Sequence, residues 1–314
     1  MNLNEWNLLN KEKKLDIIYK LIKNISISFQ IKQLETFEQN HIKLETVVLK
    51  YQEKEFVFVP GSANVTLGWD IEACNLGENI KKVLQDGWAS LKKEGLEEIE
   101  YIKKEYEPKI KKAVQSGYIK LSEEIKNEMQ TELDYWNWEI DIAQNGFQYF
   151  NDILKENISP LRTVTIPPVI VQRDIDNNEI IDNKTPFSIP TEDEWEYLCN
   201  GGSRTFFRWG DTLEKELHQM YSIGTSDASD FFYQPNMFGL HIAYNPYTPE
   251  TVFSGKGYRI KAGDGGGALC GGAPPMYLIP LFSAFYQGNI FERDCFHSWD
   301  YYRKILRLEK KNFL

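Results

Sequence analysis

The sequence predicts an α+β protein, on three observations. Apolar and polar residues alternate in short runs, at Ile27, Phe29 and Ile31 and again at Val164, Ile166, Val169 and Val171, as strands require. Between these runs, residues 78–158 are rich in Lys and Glu and carry apolar residues at spacings of three and four, the mark of amphipathic helices. After them comes a short helix with its own start and stop, running from Pro190-Thr191 to Gly201-Gly202.

Taken in order, Leu15, Ile18, Ile22 and Ile25 share one helical face over residues 11–25, with Asn10 as N-cap. Leu44 to Leu49 and Phe56 to Val59 read as two more strands, the second stopped by Pro60-Gly61. In the helical segment, Pro108 is expected to interrupt the chain or to open a new helix, and Gly117 is a second weak point. Beyond it, Leu121, Ile125, Met129, Leu133, Trp136, Ile140, Ala143, Phe147, Phe150 and Leu154 trace nearly a heptad seam. The spacing predicts one helix of about 35 residues, about 50 Å long, closed by Ser159-Pro160. Its stripe packs on its own domain or hairpin, or serves as an interface with another copy or a partner across residues 121–157. Tyr135, Trp136 and Trp138 fall on more than one face, which favours burial by more than one neighbour. Asp174 to Lys184 reads as a polar loop, and the remainder shows little helical periodicity. The domain organisation is thus 1–77, a helix and strands joining the body; 78–158, a helical insertion; and 159–314, the main body.

Hydrophobic residues at 42% and aromatics at 14% place the chain among globular proteins. Against 46 acidic residues stand 36 basic ones, a net charge of −10, so no nucleic-acid partner is expected. The same balance argues against an anionic membrane surface. The N-terminal residues lack a basic head followed by an apolar core, and no apolar run reaches transmembrane length. Cys74, Cys199, Cys270 and Cys295 are too widely spaced for a disulfide scaffold or a zinc site. Reduced thiols and a cytoplasmic location are the expectation.

The segment Ile189-Pro190-Thr191-Glu192-Asp193-Glu194-Trp195-Glu196-Tyr197 has a clear physical reading. Thr191 caps the helix, Glu194 three residues later completes a capping box, Trp195 and Leu198 face the core, and Gly201-Gly202 permits a left-handed stop. With Trp209-Gly210-Asp211 behind it, this segment resembles the signature of the sulfatase-modifying-factor family, which includes the formylglycine-generating enzymes. Phe58 to Gly61 with Leu67-Gly68, Asn236 to Leu240, Arg259 to Cys270 and Tyr302 to Leu306 are similar to further segments of that family, in the same order. The resemblance covers residues 56–77 and 160–308. It implies a C-type-lectin-like body of small twisted sheets, with the long helices inserted and a ligand face built from loops.

The resemblance also implies where chemistry would lie. Formylglycine-generating enzymes hold copper between two cysteines spaced five apart. Cys270 matches the first, but Pro275 stands in the place of the second, and one thiolate does not supply the soft pair that selects Cu(I). Cys270 is therefore expected to be a small buried residue of a glycine-rich strand. Residues 263–272, Gly-Asp-Gly-Gly-Gly-Ala-Leu-Cys-Gly-Gly, lack the ending of a phosphate loop and a following helix. His41, His218, His241 and His297 show no ligand spacing for iron. Asn245 and Glu250 are the nearest match to the family's calcium-associated segment, and the departure is large. No metal or other cofactor is expected, copper and calcium included.

Two functions follow. The first is a non-catalytic module that recognises a protein or a small molecule, with Arg259, Asp264 and Trp299 as ligand-binding residues among the aromatics Tyr277, Phe282, Phe285, Tyr286, Phe291 and Phe296. The second is an enzyme of altered chemistry using Cys270, or Cys295 with His297 two residues away on the same side of a strand.

Overall fold

The structure is a computed structural model that describes residues 1–72, 76–177, 186–213, 233–291 and 301–313. The chain starts with α1 (Leu3–Asn7) and α2 (Lys11–Lys23). The Asn10 side chain accepts from the Lys13 amide at 2.9 Å, the expected cap. Strands β1 (Gln30–Gln39), β2 (Ile42–Tyr51) and β3 (Lys54–Val59) follow as an antiparallel meander. β1 runs further than its alternation suggests, because a bulge between Ile31 and Gln33 resets its faces.

Two strands from the second half complete this sheet. β6 (Val169–Gln172) pairs with β3, and β9 (Ile305–Arg307) pairs with β6, giving the order β1-β2-β3-β6-β9. β4 (Ser62–Leu67) pairs with β5 (Arg162–Ile166), and β7 (Glu250–Phe253) with β8 (Tyr258–Lys261), both antiparallel. The architecture is α+β with small antiparallel sheets. Residues before and after the helical segment share these sheets, so the long helices are inserted between two parts of one body.

The insertion contains three helices: α3 (Glu78–Gln115), α4 (Ile119–Gln144) and α5 (Gly146–Asn157). α3 runs through Pro108, contrary to the expected interruption; the residue is exposed, so its ring meets solvent and only one backbone bond is forgone. The hairpin turn falls at Gly117, with φ 76°. There the Tyr118 amide reaches the Ala113 carbonyl and the Gly117 amide that of Val114, the two bonds of a Schellman stop. The single helix predicted across 121–154 is in fact α4 and α5, broken at Asn145. Trp88 of α3 lies so close to Gly146 that a Cβ there would sit 2.2 Å from its ring. Tyr135 and Trp138 are exposed rather than shared between neighbours. Among the described residues, no helix is long and apolar enough to cross a membrane.

Helix α6 (Glu192–Asn200) has the capping box predicted for it. The Thr191 amide donates to Glu194 Oε2 at 2.7 Å, and the Glu194 amide donates to Thr191 Oγ1 at 3.2 Å. Gly201 closes the helix at φ 62°. Trp195 and Leu198 are buried, as expected. Asp211 accepts from the Phe206 amide at 2.7 Å and Trp209 stacks on Phe207, so Trp209-Gly210-Asp211 folds as a tight turn. Buried Asn236 donates to the carbonyls of Leu198 and Cys199 and accepts from the amides of Phe238 and Leu240, tying its segment to the end of α6.

Two hydrophobic cores result. One lies between the large sheet, α2 and α6 and includes Trp6, Val48, Phe58, Ile170 and Trp195. The other holds Ile80, Leu84 and Trp88 of α3 and Phe150 of α5 against α8 (Pro275–Phe282). No helical periodicity announced α8. Its sequence, Pro-Met-Tyr-Leu-Ile-Pro-Leu-Phe, is apolar almost all round because nearly all of it is buried.

Candidate functional site

Strand β8 leads into the glycine-rich stretch that the sequence singles out. It folds as a turn and then one helical turn, α7 (Gly267–Cys270), rather than as the expected strand. Asp264 organises it: Oδ1 accepts from the Gly266 amide at 2.9 Å and Oδ2 from the Ala268 amide at 2.8 Å. Gly266 has φ 86°, and a Cβ there would fall 2.1 Å from the Tyr247 ring, so the position needs glycine on both counts. Cys270 ends α7 and is exposed, which corrects the expectation of a buried residue. Being the last residue of an isolated helical turn, it has no sheet partner to cover it. Its Sγ donates to the Tyr247 hydroxyl at 3.8 Å.

Beside this loop is a cavity of about 370 Å³. Its polar wall comprises Asp264, Asn157 at the end of α5, Tyr277 of α8 and Tyr286; Ile153 and Leu281 are among its apolar lining. Burial, and next the negative charge of Asp264, push the Tyr286 phenol up to about 12. Burial also raises Tyr277, and the hydrogen bond with Cys270 raises Tyr247. All three phenols therefore stay protonated at neutral pH and offer hydrogen bonds rather than charge. A larger cavity of about 460 Å³ lies near Gly61, Pro167, Pro168 and Phe313, with a mostly apolar lining. The smaller one adjoins the glycine-rich loop and is walled by Asp264 and the phenols of Tyr277 and Tyr286.

Of the other predicted site residues, the described one, Arg259, is committed to a structural task. Arg259 is held by Glu192 at 2.7 Å and donates to the Gly288 carbonyl at 2.8 Å, clipping β8 to α6. Cys295, His297, Trp299 and Phe296 lie outside the described residues. Of the aromatics expected on a ligand face, Phe282 and Phe285 are core, while Tyr277 and Tyr286 line the cavity. Asn157 and Tyr247 had escaped notice. Neither carries a sequence signal, since each acquires its place only when α5 and the residue 245–248 turn pack against the loop.

The residues present do not fit the metals that the resemblance raises. The partner of Cys270 is a phenol, and Pro275 opens α8 with no ligating atom, so a copper-holding thiol pair is not formed by the described residues. Both carboxylate oxygens of Glu250 are engaged by Arg303, at 2.9 and 3.0 Å, and Asn245 Oδ1 accepts from the Tyr247 amide, which leaves the calcium pair committed elsewhere.

Buried charges hold this region in place. Glu196 is fully buried in α6, with Lys261 Nζ at 3.0 Å, Arg162 at 3.2 Å and the Gly68 amide at 3.1 Å. Burial disfavours its charge, but Lys261 and Arg162 outweigh burial and hold the carboxyl below its ordinary value. Lys261 is the last residue of β8, so this ion cluster fixes the strand from which the glycine-rich loop departs. Cys199 is the counter-example to Cys270: complete burial pushes its thiol up to about 12.

No family model, curated protein or solved structure matches the chain.

Proposed function

We propose that this chain is a recognition module on a C-type-lectin-like scaffold of the sulfatase-modifying-factor kind, and that its ligand occupies the cavity beside the glycine-rich loop. The observation that carries the reading is the character of that cavity. Two protonated phenols, an amide and a carboxylate surround a partly apolar hollow of about 370 Å³. This is hydrogen-bonding equipment with aromatic walls, suited to a small neutral polar ligand or a peptide side chain. Among the described residues that line it, no nucleophile is paired with a base. The capping box of α6, the Asn236 hub and the turn at Trp209-Gly210-Asp211 support the family resemblance, since each signature residue has a structural task.

The test is ligand-observed NMR with a panel of monosaccharides and short peptides, comparing the protein with Tyr277→Ala and Ala273→Phe. Binding that falls at least about tenfold in both variants supports the assignment, a loss typical for a key polar contact or a blocked site. Binding indifferent to both refutes it.

A second reading rests on one specific observation, the exposure of Cys270 beside Tyr247. An enzyme using that thiol would need it activated as a nucleophile, so iodoacetamide should alkylate Cys270 much faster than it alkylates free cysteine at neutral pH. The recognition reading expects a rate no faster than that of free cysteine.

A further inference from the structure

The lining of the cavity beside the glycine-rich loop comes from two stretches of chain. Ile153 and Asn157 stand one turn apart on α5, and the rest, from Asp264 to Tyr286, follow β8. From Ala262 to Phe291 the chain has no Lys, Arg or His and a single acidic residue, Asp264. Two lysines adjoin these stretches, and both are turned elsewhere. Lys261 is fully buried, with its Nζ 3.0 Å from Glu196. Lys155 is two residues from both Ile153 and Asn157, hence on another face of α5, and pairs with Asp152 at 3.3 Å. Burial raises both phenols first, and the charges that add to it are acidic: Asp264 at Tyr286 and Glu139 at Tyr277. The polar groups of the wall are open acceptors. Each Asp264 oxygen accepts one backbone amide, which leaves a second lone pair on each. Asn157 Nδ2 donates to the Ile153 carbonyl at 2.9 Å, so Oδ1 is the open end of that amide. Neither the Tyr277 nor the Tyr286 hydroxyl has a hydrogen-bond partner among the described residues.

We propose that the ligand of this cavity, taken as the recognition site above, is a primary alkylammonium ion, with its nitrogen at Asp264 and its stem along Ile153, Pro280 and Leu281. An ammonium brings one positive charge, three donors and no acceptor. That is the complement of a wall with one carboxylate, several open acceptors and no cation among the described residues. The two tyrosines add aromatic surface, which attracts a cation. The apolar lining takes the alkyl stem, as apolar surfaces take the stem of a lysine while its head stays polar. An anion would meet Asp264 with nothing to offset the repulsion. A neutral ligand would cover the carboxylate without pairing it, which costs free energy. A volume of about 370 Å³ lies at the small end of ligand sites and matches one side chain rather than an extended peptide. A lysine of a peptide and a free aliphatic amine present the same group.

The test is NMR titration of the full chain with Nα-acetyl-lysine methylamide, with the same compound built on norleucine, and with butylamine. The lysine probe should bind at least about tenfold tighter than the norleucine probe, a factor typical of one hydrogen bond to a charged group. Raising the salt should narrow that gap, and Asp264→Asn should remove it. Because this carboxylate also holds the loop, a second pair of variants is read beside it. Ala273→Lys sets a cation at the cavity wall and should bind the lysine probe at least about tenfold more weakly than Ala273→Gln, which adds similar length without charge. Lysine binding tighter than butylamine assigns a peptide, and equal binding a free amine; both support the ammonium. Lysine and norleucine probes that bind equally, and are both lost in Tyr277→Ala, overturn the ammonium and leave the recognition reading in place. So does binding of sugars or neutral peptides at the cavity with none of the lysine probe, or an Ala273→Lys variant no weaker than Ala273→Gln. Binding of every probe that is indifferent to Tyr277→Ala overturns both readings.

Discussion

Glu196 shows what a single residue contributes here. Its carboxylate is fully buried, with Lys261 and Arg162 on either side. Glu196→Gln leaves Lys261 buried without its counter-ion and should cost about 3–5 kcal/mol at neutral pH. Because the folded carboxyl lies below its ordinary value of 4.5, the stability it confers is fully present above that pH. It is lost as pH falls from 4.5 through the folded value. Urea melts at a series of pH values should therefore show wild type and variant converging below about pH 4.5; a constant gap would mean that the charge is not the cause. The two described thiols make an independent residue-scale contrast. A thiol reagent should label Cys270 in the native protein and reach Cys199 only on unfolding, as peptide mapping of the labelled chain will show.

For individual elements, the outcome depends on whether the determining interactions are local. α6 is specified by its own residues: cap, box and glycine stop lie within eleven positions, and the structure has all three. Thr191→Ala should cost about 1 kcal/mol, read as a lower melting midpoint. The break between α4 and α5 is different. The apolar stripe continues across it, and the stop lies at Asn145-Gly146, a turn-forming pair that the periodicity alone passes over; Trp88, more than fifty residues earlier, lies against Gly146 and needs a glycine there. Gly146→Ala should destabilise by about 1–3 kcal/mol through overpacking, whereas Ala in place of exposed Gln148 should be nearly neutral. The pair of thermal melts separates a steric effect from helix propensity, which favours Ala at both positions. α7 and α8 were illegible for complementary reasons. α7 is one turn long, below any periodic signal, and α8 is buried on nearly all sides and has no polar face to set a period.

Across the whole molecule, two cores and one projecting arm should differ in stability. The arm beyond Leu91 is held by contacts between its own helices, while β2, β3 and β6 lie in a sheet buried on both sides. Hydrogen exchange should therefore run faster in residues 99–134 than in those strands. Removing 99–134 and joining the stumps through a short glycine linker should leave the melting midpoint of the body nearly unchanged. A collapse of the body on this deletion would show that the arm is part of its core.

Much of the plan was present in the sequence alone. The mixed class, the helical insertion, strands β2, β3, β5 and β6, and α6 with its caps all follow from periodicity and capping, which act over a few residues. The loop bearing Asp264 and Cys270 was also visible as a place of interest. The tertiary structure decided the rest. It set Cys270 at the surface, gave it Tyr247 as partner, and assembled a cavity from α5 and, more than a hundred positions later, the glycine-rich loop and α8. Such meetings depend on how separate elements pack, and packing leaves no period, cap or spacing in any one stretch of chain.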